Sequence, residues 1–101
     1  MKKKVISKNE KFTSKLEALR LEIDSADRLL IQVLKHRFQA VKKVGTLKVA
    51  HELPLFQKER WNRLVEDRLK QAGRAKVDGD FMRSLLKLIH KEAMRIQRGD
   101  K

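Results

Sequence analysis

From Leu16 the apolar residues of this chain fall at Leu19, Ile23, Ala26, Leu30, Val33, Ala40 and Val44, stepping by threes and fours. That step is one face of an α-helix. No proline interrupts it before Pro54, so one long helix is the structure this segment can fold into. Two slots on the face are cationic. Arg37 stands between Val33 and Ala40, and Lys48 follows Val44. Arg60 breaks the pattern in the same way on the next helix. An unpaired cation costs several kcal/mol to bury, so such a residue is matched by an anion. The chain reads as a helical bundle built to hold one.

Helix 1 is expected to start at Thr13 or Ser14, with Ser14 and Glu17 at capping-box spacing. It is expected to run to about Ala50, because Leu53 precedes Pro54 and is pushed out of the α region. A rod of roughly 54 Å follows from 1.5 Å per residue, whereas a compact chain of this length has a radius of gyration of about 13 Å. An intertwined homodimer would cover the stripe left over. Helix 2 is expected from Phe56 to Ala72 with Trp61, Leu64, Val65 and Leu69 inward and Gly73 just past its end. Helix 3 is expected from Gly79 to Arg98, capped by Asp78. Its apolar face carries Phe81, Met82, Leu85, Leu86, Leu88, Ile89, Ala93 and Ile96. The expected class is all-α, a three-helix chain with a long first helix. A basic flexible leader is expected over residues 1–13, the helical domain over 14–98 and a short tail over 99–101.

Composition narrows the chemistry. The 101 residues make one domain, with no Cys and hence no disulfide framework or thiolate metal site. No apolar run approaches the roughly 18 residues that span a bilayer. Lys2, Lys3 and Lys4 open the chain as a signal peptide does, but no apolar region follows, so a cytoplasmic protein is expected. The net charge is +13. Residues 1–15 hold six Lys and one Glu, so +5 belongs to the leader and +8 to the rest. Charge alone would suit nucleic acid, but no stacking array of aromatics accompanies it.

Arg37 and Lys48 are eleven residues apart, which places them about 20° from each other around a helix and about 16 Å apart along it. That suits the two ends of a small polyanion. Gly45 between them costs about 1 kcal/mol of helix propensity relative to Ala, which a close approach of ligand or backbone would explain. Arg20 lies roughly 25 Å before Arg37 and faces about 100° away, so one ligand reaches both only if a second copy supplies Arg20. Gln97 continues the line of Leu86, Ile89 and Ala93 on helix 3 and offers an uncharged donor.

These residues resemble the all-helical class of chorismate mutase. The resemblance runs from Leu16 to Gln97. Its carriers are Leu19-Arg20-x-x-Ile23-Asp24-x-x-Asp27, Leu34-x-x-Arg37, Val44-Gly45-x-x-Lys48, Pro54 with Arg60, and Leu88-Ile89 through Gln97. It implies the rearrangement of chorismate to prephenate in aromatic amino-acid biosynthesis, the shikimate route, with no cofactor, metal or covalent intermediate. On the resemblance, Arg37 and the partner chain's Arg20 grip the substrate carboxylates. Lys48 contacts a carboxylate and the ether oxygen, Gln97 donates to that oxygen, and Arg60 completes the cationic wall. Two departures stand at the end that holds the ring hydroxyl. Trp61 and Gln57 occupy positions where acidic residues are common in the family, and Gln57 keeps the ability to hydrogen-bond. Ala93 stands where a Ser is frequent. The alternatives are an isochorismate pyruvate lyase on the same scaffold, or a non-catalytic basic helical dimer that binds nucleic acid. The second leaves the apolar-line positions of Arg37, Lys48 and Gln97 unexplained.

Overall fold

The computed structural model describes residues 8–99 and contains three helices: α1 (Lys8–Ala50), α2 (Lys58–Arg74) and α3 (Gly79–Arg98). Among the described residues there is no strand, as the composition leads one to expect. The chain divides into two compact units at His36 and Arg37, inside α1.

The first unit, up to His36, is helical throughout its described part. It begins earlier than the expected cap. Thr13 is already inside the helix, its hydroxyl donating back to the Asn9 carbonyl at 2.8 Å instead of capping anything. Glu17, the other half of the expected capping box, pairs with Arg20 at 3.0 Å. Residues 8–13 of the expected leader are therefore helical, and residues 1–7 of it lie outside the described residues. The apolar seam is present but uncovered: Leu19, Ile23, Leu30 and Val33 are each about half exposed or more.

The second unit, from Arg37, packs the end of α1 with α2 and α3. Its buried residues are Leu64 and Ala72 on α2, Leu86 and Ala93 on α3, and Gly45 on α1. Trp61, Val65 and Leu69 are half-buried beside Leu64, on the expected inner side of α2. On α3, Met82, Leu85, Ile89 and Ile96 are half-buried, but Phe81 and Leu88 are exposed. The apolar face of α3 is thus narrower than the sequence suggested.

The helix ends differ in how they are made. Asp78 caps α3 as expected, accepting from the Phe81 N–H at 2.9 Å. The end of α2 is not at Gly73. The helix continues to Arg74, and Lys76 takes the left-handed conformation with φ 59°. The N–H of Val77 bonds to the Ala72 carbonyl and that of Lys76 to the Gly73 carbonyl, the paired bonds of a Schellman end. α1 closes in the same way, with Glu52 at φ 56° and the Leu53 N–H on the Lys48 carbonyl at 2.8 Å. A side chain in this conformation costs about 1–2 kcal/mol that glycine avoids, partly offset by glycine's freedom in the unfolded chain. Lys76→Gly is therefore expected to raise the unfolding free energy by about 0.5–1 kcal/mol, read as a higher urea midpoint at unchanged m value. A lowered midpoint would contradict it.

Candidate active site

A cleft of about 350 Å³ opens in the second unit, between the last turns of α1, the segment before α2, α2 itself and the second half of α3. Its size is that of a small-molecule site. Each element contributes by its own periodicity. From α1 come Arg37, Val41, Val44 and Lys48, which share one face. α3 contributes His90, Ala93, Met94 and Gln97, spaced by three, one and three residues. The connector and α2 add Leu55, Gln57, Arg60, Trp61, Arg63 and Leu64.

Five of the six site residues expected from the sequence meet in this cleft: Arg37, Lys48, Gln57, Arg60 and Gln97. Arg20 is not among its lining residues. It lies in the first unit, exposed and paired with Glu17. Arg60 does not sit on a buried stripe as expected. It is exposed at the rim, because it lies in the first turn of α2, at the open end of the face that carries the buried Leu64 one turn later. His90, Trp61 and Arg63 line the cleft without having been singled out for it. The signal for His90 was present, since it precedes Ala93 by three residues and Gln97 by seven on the same helix face.

Charge in the cleft is one-sided. Arg37, Lys48, Arg60 and Arg63 line it, and none of its lining residues is an Asp or Glu. None of the four cations has a carboxylate within ion-pair distance among the described residues. Arg37 is the most confined. Its Nη1 is buried with no hydrogen-bond partner among the described residues. Its pKa is pushed down by burial first, and then by the neighbouring positive charges of Arg68 and Arg60. A guanidinium does not lose its proton in a protein, so the shift measures how unfavourable that charge is with no anion beside it. Burial likewise lowers the pKa of Lys48.

Lys48 and Gln97 form one unit. The Lys48 ammonium donates to the Leu55 carbonyl at 2.6 Å and to Oε1 of Gln97 at 2.8 Å. An ammonium has three donors and no acceptor. One N–H of Lys48 is therefore left for a ligand, and the Gln97 amide is oriented with its oxygen on Lys48 and its Nε2 donors away from it. Gln57 is the N-cap residue of α2, yet its side chain makes no capping bond, so its amide is available to the cleft.

Gly45 answers to a close backbone approach. A Cβ there would stand 3.0 Å from both Cα and Cγ of Gln97. The neighbour is α3 backbone, so relief requires shifting the helix that carries Gln97. Gly45→Ala gains about 1 kcal/mol of helix propensity but is expected to lose about 1–3 kcal/mol to overpacking. The expected result is a lower urea midpoint together with a reduced kcat, as Gln97 moves from Lys48. A variant more stable than the parent with unchanged kcat would show that α3 yields freely here.

Among the described residues no cluster of His, Asp and Glu has the arrangement of a metal site, and no helix is long and apolar enough to cross a membrane. An all-helical chain with a cationic, carboxylate-free cleft and preset neutral donors defines a class: a binder of small polyanions. Comparison with known proteins gives the class its family. Residues 19–98 match the model of the chorismate mutase type II family, and the chain belongs to that family. It is 35% identical over 82 residues to the T-protein of Haemophilus influenzae, which covers 81% of this chain and 22% of that protein. It is 32% identical over 80 residues to the T-protein of Enterobacter agglomerans, covering 79% and 21%. A third relative, the 4-amino-4-deoxychorismate mutase of Streptomyces pristinaespiralis, is 28% identical over 85 residues, covering 84% and 66%. The chain spans about a fifth of the length of the T-proteins it matches.

Proposed function

We propose that the protein is a chorismate mutase, converting chorismate to prephenate for aromatic amino-acid biosynthesis in the cytoplasm. The observation that carries this reading is the buried Nη1 of Arg37, without a hydrogen-bond partner among the described residues, in one cleft with a Lys48–Gln97 pair whose remaining N–H groups bond to no described residue. Family membership supplies the substrate class, a small dicarboxylate. The rearrangement is unimolecular and moves no proton, so a catalyst has two tasks. It must hold the folded conformer of the substrate, and it must stabilise negative charge as it grows on the breaking ether oxygen.

Each residue then has a role. Arg37 takes a carboxylate through its planar fork, the geometry to which a guanidinium is matched. The third N–H of Lys48 and the Nε2 of Gln97 converge on the ether oxygen. Because Lys48 already bonds to Leu55 and Gln97, neither donor has to reorganise as charge develops, which is where such groups contribute most. Gln57 serves the ring-hydroxyl end, and Arg60 closes the cationic rim. Arg20 comes from a second copy. The uncovered seam of Leu19, Ile23, Leu30 and Val33 supports an intertwined homodimer in which α1 of one chain lies on the other.

The test is to follow loss of chorismate with the purified chain and identify the product. Prephenate is the expected product. Consumption of isochorismate with release of salicylate would instead make the protein a pyruvate lyase, and no turnover of either would overturn the enzyme reading.

A further inference from the structure

His90 is a polar residue in the cleft that the mechanism above does not use. It projects from α3 two helical turns before Gln97, on the same helix face. Its ring stacks on Trp61, with centroids 4.2 Å apart and planes inclined by 30°, and tilts against Phe56 at 5.5 Å. Two aromatic neighbours fix the imidazole plane, as such pairs do in protein cores. Neither ring nitrogen takes part in a hydrogen bond with another described residue, although His90 is half-buried. A held imidazole with free nitrogens at a cleft wall is a recognition group awaiting a partner.

The surroundings say what kind. Burial, then the positive charges of Arg37 and Lys48, push the His90 pKa down, so the ring is neutral at physiological pH and offers one donor and one acceptor. No carboxylate from α1, α2 or α3 lines the cleft around it, and four cations do. A ligand group seated there meets a neutral polar partner inside a positive field.

We propose that His90, held by Trp61, is a specificity-determining residue: it receives an uncharged hydroxyl on the substrate ring, while the carboxylate-free wall rejects the same molecule bearing an ammonium group in that place. The inference rests on the dicarboxylate reading of the cleft and names the ring substituent the cleft selects. An ammonium would be desolvated among like charges with no carboxylate to neutralise it, the imidazole acceptor being uncharged, which is how a site discriminates by leaving the wrong ligand without its counter-charge. For scale, like charges about 8 Å apart at the effective dielectric of a protein surface repel by an amount that corresponds to about 30-fold.

The experiment compares kcat/KM for chorismate and for its analogue with an amino group replacing the ring hydroxyl. The parent is expected to favour the hydroxyl compound by at least about 30-fold. His90→Leu keeps bulk against Trp61 and is expected to raise KM for chorismate about tenfold with little change in kcat, the loss of one hydrogen bond. His90→Asn should recover part of that loss, which a purely packing role would not allow. His90→Glu should narrow the preference by about tenfold or more. Thermal melting of each variant separates binding effects from folding ones. Equal use of the two substrates by the parent, or an unchanged KM in a folded His90→Leu, would overturn the proposal and leave the mutase reading standing. A parent that turns over neither substrate overturns both.

Discussion

Lys48→Ala is expected to lower kcat by about 10²–10³ while leaving the fold in place. In the mechanism proposed above the ammonium is one of two donors aimed at the developing oxyanion, and removing one such donor typically costs about that factor. The loss compounds, because Gln97 Oε1 gives up its 2.8 Å donor and the amide becomes free to rotate. Stability should change much less. Lys48 is only half-buried, and the Leu55 carbonyl it leaves lies in a connector open to water. Near-parental turnover in the variant would remove Lys48 from the mechanism. The pH profile gives a second reading of the same residue. Burial disfavours the charged ammonium, so its pKa lies below that of an ordinary lysine. The proposed mechanism uses the charged form, so kcat/KM should fall as the pH rises through that lowered value, before a solvent-exposed lysine would titrate. Lys48→Arg should abolish this basic limb whatever its residual rate, since a guanidinium does not titrate there.

The second large effect is a recovery. On the proposed shared site, Arg20→Ala and Arg37→Ala should each be nearly inactive as homodimers, each site lacking one of the two arginines assigned to the substrate carboxylates. Co-refolding the two variants makes heterodimers in which one site carries both defects and the other neither. With random pairing, about a quarter of parental activity should return, by the symmetry of a two-fold dimer. A monomeric enzyme or a nucleic-acid binder has no route to that outcome. If native mass spectrometry shows heterodimers and activity stays absent, Arg20 does not complete the partner's site.

The parts of this molecule that follow a short-range rule were legible in its residues. Helix periodicity put Arg37 and Lys48 on one face, capping chemistry put α3 between Gly79 and Arg98, and both hold. Gly45 signalled a close approach, and the structure identifies it as backbone of α3. What escaped depends on competition between neighbours. Thr13 is a candidate cap and Glu17 half of a capping box with Ser14 on paper, but Thr13 and Glu17 each find another partner inside a helix that had already begun. Gly73 looked like the end of α2, yet the Schellman bonds close three residues later around Lys76. Arg60 shares a face with Leu64 as its spacing suggests, but it lies in the first turn of α2, where no neighbouring element covers it. His90 was visible by spacing, and its stacking on Trp61 was not, because the two residues come from different helices.

Lys48 is tied into the chain at both of its ends. Its carbonyl accepts the Leu53 N–H that closes α1, and its ammonium holds the Leu55 carbonyl two residues further on. The turn that stops the helix is thus wrapped around the residue proposed to meet the substrate. A chain that has not yet closed this turn has no positioned ammonium, however complete its helices are. Catalytic competence during refolding should consequently report the closure of a few residues around Pro54, and appear later than helical signal. An insertion between residues 51 and 54, none of which lines the cleft, would be felt first as lost chemistry and only afterwards as lost stability.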